Sequence, residues 1–379
     1  MVRSVSAFLL MAISVMNVKA QEDEYLVKRF RDHKASVLSV DLSPDGKYLV
    51  TGSDDKKLII YDLSNFEILH EYTDNYFPPR AIEVTGDNSI FLGSGSDIRL
   101  IDMNNTTLAL FQGNTTHIWS VDYAPERNKV TAGSYDYKIK VWDVGTQQIE
   151  LELEGHKKST LPVVFSPDEK YLVSGSLDRT VKIWNAKTGE EMRSLVKHTD
   201  NIYDIAFHPS GQYFLSASRD KTIRLWDFEK GEVLKTYVGH DQGVVDLEIL
   251  PDGEHFLSAS FDGSVRLWET RTGKMVYTYT GHTGAVNSIS VSTGGDLFVS
   301  GGIDGQVLLY RIDGKVFVEY TFYDEFMNEK EGNSLFEERR KGEKKEDYES
   351  RQAKARDKET EIVEKYYRQY LDRLKKETY

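Results

Sequence analysis

His156, Ser174 and Asp178 lie within one short stretch of the chain. They are the three residue types of an acyl-transfer site, where a carboxylate orients an imidazole and the imidazole takes a hydroxyl proton. Such a site needs one exposed constellation with an oxyanion pocket beside it. This chain repeats the set instead, as His198, Ser216 and Asp220, and again as His240, Ser258 and Asp262. An indole follows each Asp by six residues, at Trp184, Trp226 and Trp268. A constellation copied at a fixed interval is scaffold chemistry, because a buried indole N–H and a buried imidazole both need partners. His70, His208 and His255 stand in strand or turn sequences without a third donor at metal-ligand spacing. No Gly-rich phosphate loop is present. No catalytic residue, metal or cofactor is therefore assigned.

The interval itself describes the elements that hold this set. Aligned on Trp184, the same phrase recurs at Tyr61, Ile101, Trp142, Trp226, Trp268 and Tyr310, with spacings of 40, 41 and then 42 residues. Each unit carries four short β runs, for example Ile149–Leu153, Leu161–Phe165, Tyr171–Ser174 and Thr180–Trp184. Turn sequences such as Ser166-Pro167-Asp168 separate them. A four-stranded sheet of this size buries little alone, so seven such units must pack face to face, and radial closure protects their edges.

With its Gly-His pairs at Gly155-His156, Gly239-His240 and Gly281-His282, and its Trp142-Asp143 and Trp226-Asp227 pairs, the chain resembles the WD-repeat family over roughly residues 24 to 322. The resemblance implies an all-β, seven-bladed β-propeller of four-stranded antiparallel blades. It also implies that His, Ser, Asp and Trp form a hydrogen-bonded chain within each blade. In this family, loops at the narrow end of the channel commonly meet partners. The corresponding positions here are uneven, and Arg80, His117, Trp119, Tyr135, Tyr203, Arg219 and Phe261 make an aromatic and cationic group. Trp, Tyr and Arg dominate binding hot spots, and Arg suits carboxylate or phosphate groups. A protein or peptide partner is expected, with aromatics and Arg rather than convergent carboxylates at the channel.

Blades two and three depart from the pattern. Asn75 and Asn114 stand at the His position, Ala132 replaces the Ser and Ile101 the Trp. Their loops should be less constrained. Two segments compete for the outer strand of the seventh blade: Glu24–Phe30 and Lys315–Phe322. The expectation is that Tyr25–Phe30 pairs with Val307–Arg311.

Residues 1–20 read as a secretory signal, with Arg3, an apolar run from Ala7 to Met16 and a small-residue site before Gln21. That run is too short to span a bilayer. Export without any cysteine points to a bacterial envelope, periplasmic or secreted. The propeller is expected over 21–328 and a charged tail over 329–379. The tail holds 15 basic and 14 acidic residues. Taking its +1 and the leader's +2 from the overall −13 leaves the propeller near −16, which disfavours nucleic acid. Val363, Tyr366, Tyr367, Tyr370, Leu371 and Leu374 share one face of an amphipathic helix of three to four turns. That face would dock on the propeller or meet a partner helix. The function expected is a noncatalytic interaction scaffold. The alternative is an exported propeller enzyme or carbohydrate-binding protein acting at the channel mouth.

Overall fold

The computed structural model describes residues 25–73, 75–331, 333–337 and 343–376. The expected leader and its cleavage site lie outside the described residues. The chain divides into two compact units, one ending at Arg311 and the other beginning at Ile312. The boundary thus falls upstream of the expected residue 328.

The first unit is a seven-bladed propeller of four-stranded antiparallel sheets. Blade five shows the plan: strands Ile202–Phe207, Tyr213–Ser218, Thr222–Asp227 and Val233–Val238 run outward in chain order. The second strand is almost wholly buried, so both of its faces carry apolar or small residues, while the third buries Ile223, Leu225 and Trp226 and leaves Thr222, Arg224 and Asp227 partly exposed. Faces of adjacent blades supply the core, as where Val181 and Ile183 of blade four meet Ile202, Ile205 and Phe214 of blade five. Glycine appears in the second strand where the next blade presses closest. A Cβ on Gly133 would collide with the Leu161 carbonyl, and one on Gly301 would sit 2.5 Å from Val37.

The ring is closed by the N-terminal segment. Strand β1, Leu26–Phe30, pairs antiparallel with Val307–Arg311, matching Leu26 to Tyr310 and Phe30 to Val307. Tyr25, 2% exposed, packs edge-on against Tyr277 at 5.3 Å. Arg29 donates to Gln306 Oε1 at 2.8 Å and to the Gly281 carbonyl at 3.1 Å.

The competing segment is not a strand. In the second unit, helix α1 spans Gly314–Thr321, capped by Asp313, whose side chain accepts from the Lys315 amide at 2.8 Å. Helix α2 spans Tyr323–Glu331, and helix α3 spans Lys345–Lys376, far longer than the expected three to four turns. The expected apolar face is used inside this unit: Ile362, Tyr366 and Tyr370 are buried, and Val318, Phe326, Ile362 and Tyr366 form one cluster. Phe317 stacks on Tyr370 at 5.3 Å. The charged upstream half of α3 is tied by Arg351, which pairs with Glu343 at 2.9 Å and donates to the carbonyls of Ser334, Leu335 and Glu337. Among the described residues, no helix is long and apolar enough to cross a membrane.

Candidate functional site

The repeated His, Ser, Asp and Trp meet inside each of blades four, five and six. In blade five, His198 Nε2 lies 2.7 Å from Ser216 Oγ, and the Trp226 indole donates to the same oxygen at 2.8 Å. His198 Nδ1 lies 2.8 Å from Asp220, which also accepts from the Thr199 and Thr222 amides. His156–Ser174–Asp178–Trp184 and His240–Ser258–Asp262–Trp268 repeat this arrangement with His–Ser distances of 2.8 and 2.7 Å. The serines are fully buried and each hydroxyl is held by two ring nitrogens, so none is placed as a nucleophile. Burial alone would raise the Asp220 carboxyl. Its hydrogen bonds, led by His198, outweigh burial and hold it below the usual carboxylate range.

Blade three replaces this network rather than losing it. Lys140, 2% exposed, places its ammonium 2.9 Å from Asp136 and donates to Asn114 Oδ1 at 3.2 Å. The Trp142 indole turns to the Gln112 carbonyl at 2.9 Å. In blade two, Arg99 reaches Asn75 at 2.5 Å. Lys140 and Arg99 thus bond to the asparagines that stand where the other blades have histidine.

The aromatic and cationic group assembles around the channel mouth. Each innermost strand carries a bulge, and the extra residue is Leu38, Arg80, Trp119, Leu161, Tyr203, Val245 or Asn287 in blade order. A bulge re-aims the residue it adds, and six of these seven, all but Leu161, line a central cavity of about 460 Å³. The Arg80 guanidinium lies 5.0 Å over the Trp119 ring. Trp119 stacks on Tyr203 at 6.3 Å and 22°, and meets Tyr135 edge-on at 5.9 Å. Tyr203 meets Phe261 at 5.6 Å. Arg219 and Phe261 border an adjoining depression with Lys221 and Gln242. Arg219 is exposed, 4.0 Å from Asp200. His117 stands to one side, against Phe77 at 5.3 Å.

Below the mouth the structure departs from expectation. Asp41, Glu83, Asp122, Asp204, Asp246 and Glu248 all line the same cavity. Four of them, in blades one, three, five and six, tie their blade to the next, each accepting a backbone amide 43 residues on. The amides of Val84, Phe165, Leu247 and Ile289 reach Asp41, Asp122, Asp204 and Asp246 at 2.7, 2.7, 2.9 and 2.7 Å. Ser288 and Ser290 continue the seam from blade seven to the amides of Val40 and Leu42. Burial raises Asp41 and Asp246 to about 6 and Asp122 to about 7, and it raises Glu83, Asp204 and Glu248 well above the usual range. Sequence reasoning looked only at loop positions. The signal it passed over is an acidic residue eight positions after the His or Asn of blades one to three, and six after the His of blades five and six.

Comparison with known proteins follows the same geometry. The family model for the WD domain, G-beta repeat, matches residues 24–62, 105–143, 147–185, 189–227, 231–269 and 273–311. It passes over blade two, where Ile101 and Asn75 break the phrase. Among curated proteins the chain is similar to WD repeat-containing protein 82 of Drosophila melanogaster, 24% identical over 124 residues, covering 31% of this chain and 39% of that protein. It is also similar to Protein groucho of the same species, 29% identical over 113 residues, covering 28% of this chain and 16% of that protein. Serine-threonine kinase receptor-associated protein of Gallus gallus is 32% identical over 96 residues, covering 25% of this chain and 27% of that protein. The chain spans well under half the length of each of these relatives.

Proposed function

We propose that this chain, which belongs to the WD domain, G-beta repeat family, is a noncatalytic interaction scaffold whose channel mouth engages a protein or peptide partner. The observation that carries this reading is the cluster of Arg80, Trp119, Tyr135, Tyr203 and Phe261 at one mouth, three of which, Arg80, Trp119 and Tyr203, are bulge residues that leave the blades' pairing intact. Relatives support it in kind, one of them being named as receptor-associated. Trp119→Ala and Arg219→Ala should each weaken capture of the natural partner while moving the melting midpoint little, since substitutions away from a core stay within about 0.5 kcal/mol. Side-by-side affinity capture from the native cell and thermal melts test this. A variant that unfolds would place its residue in the core and sink the assignment.

The rival reading, a propeller enzyme or carbohydrate binder, draws on the convergent channel carboxylates. Asp41, Asp122, Asp204 and Asp246 each commit an oxygen to the neighbouring blade, which is a structural use, and this favours the scaffold. The partner meets the protein, in our reading, in a bacterial envelope. The layout of residues 3–20 supports export, and the lack of cysteine in an exported chain favours a bacterial envelope. N-terminal sequencing of the exported protein should then read from Gln21; a start at Met1 would rule the leader out.

A further inference from the structure

The channel holds an excess of acidic over basic groups. Six carboxyl groups line it, and among the described lining residues Arg80 is the one cation. Glu83 is left incomplete: its Oε2 is shut off from solvent and finds no hydrogen-bond partner in the structure as described. The carboxyls do not gather as a metal site, since no group of three or more His, Cys, Asp or Glu among the described residues could hold a metal ion. They are spread around a cavity of about 460 Å³, a volume that admits one long side chain. Above them, the Trp119 ring already accepts a guanidinium on its face at 5.0 Å, and aromatic faces attract cations generally.

We propose that the mouth receives a lysine or arginine side chain of a partner polypeptide, passing beside Trp119 and Tyr203 to end among the channel carboxyls near Glu83. This rests on reading the mouth as the partner surface and adds the chemistry of what enters it. The aromatic walls strip water from the aliphatic stem, and the head meets carboxyl oxygens. Arg80 opposes such a guest by like charge and so sets a threshold for its entry. The same carboxyls supply a signature. Burial raises Glu83, Asp204 and Glu248 well above the usual carboxylate range, and it raises Asp41 and Asp246 to about 6 and Asp122 to about 7, so an empty channel retains protons near neutral pH. A cation favours their ionised form, so its entry expels protons. Affinity must therefore rise as pH climbs through about 6 to 7, the range of Asp41, Asp246 and Asp122. The other charges that face these groups, Glu169 behind Asp122 and Arg80 above, do not reverse that sign.

The test uses the full chain and four capped nonapeptides of one Gly/Ser sequence, with a central Lys, Arg, Glu or norleucine, titrated calorimetrically in buffers of different ionisation enthalpy. The Lys and Arg peptides should bind at least about tenfold tighter than the norleucine peptide, release protons and bind more tightly at pH 8 than at pH 6. Glu83→Gln should weaken the Lys peptide about tenfold without shifting the melting midpoint, and Arg80→Met should tighten it. Equal binding of norleucine, preference for Glu, an unchanged Glu83→Gln variant, or no binding of any peptide at millimolar concentration overturns the proposal. If a norleucine or Glu peptide binds and Trp119→Ala abolishes it, the mouth remains the partner surface and only the cationic guest is refuted. Binding indifferent to Trp119→Ala refutes both.

Discussion

Deleting residues 21–30 should lower stability by about 5 kcal/mol or more, enough to leave much of the chain unfolded at ordinary temperature. The deletion strips strand β1 from the seventh blade, so Tyr310, Leu309, Leu308 and Val307 lose their antiparallel partners. It also removes Phe30, 3% exposed and 4.5 Å from the Tyr61 ring of blade one, and Tyr25 against Tyr277. Truncating one buried aromatic costs about 3–5 kcal/mol, and here two are lost with a strand. No other segment of the described chain stands ready to replace it, because residues 314–321 are committed to a capped helix. Guanidinium melts of the shortened and parent chains decide the matter. Coincident midpoints would show that the N-terminal strand does not hold the ring closed.

Lys140→Met should cost about 3–5 kcal/mol, since breaking one side of a buried pair strands the other charge. Asp136, its side chain 6% exposed, would keep only backbone and hydroxyl donors. Asp220→Ala should cost less, about 1–3 kcal/mol, because it orphans the hydrogen-bonding groups of His198, Thr199 and Thr222. Asp97→Ala should cost less again, as its side chain reaches Gln112 only at 3.4 Å. The gap between parent and Lys140→Met should also close in acid. Burial raises Asp136, but Lys140 and the backbone donors more than offset this and depress it. Its contribution is thus complete above the ordinary Asp range and disappears as pH falls through the depressed value. Melts in neutral and acidic buffer measure this. A Lys140→Met cost below that of Asp220→Ala would mean that the ion pair does not hold blade three.

The blades were legible because their signals are local and repeated. His198, Ser216, Asp220 and Trp226 recur at fixed separations, and a period of about 42 residues leaves few folds that could bury such units. The closing strand was legible for the same reason, since Tyr25–Phe30 occupies the place that Val233–Val238 holds before the next blade. Three features escaped. Lys140 reads as an exposed strand residue until Asn114 and Asp136 are seen to face it across the blade. The alternation of Lys315–Phe322 suits a strand, and the Asp313-Gly314 cap that starts a helix is a weaker local sign. The channel acids of different blades are 39 or more residues apart in the chain, and only radial closure brings Asp41, Asp204 and Glu248 around one axis.

The bulges carry an evolutionary consequence. Arg80, Trp119 and Tyr203 each stand between two paired residues that keep their own partners, as Ile118 keeps Ser134 and Ser120 keeps Gly133. A mutation at such a position therefore disturbs no ladder and no inter-blade seam. A lineage is free to exchange these residues one at a time, while Asp122 and its kin remain fixed by their bonds to the following blade. Selection acts on Arg80, Trp119 and Tyr203 as on separately editable characters, while Asn287 is held by its bond to the Val37 carbonyl of blade one, so recognition diverges quickly in a molecule whose frame hardly changes.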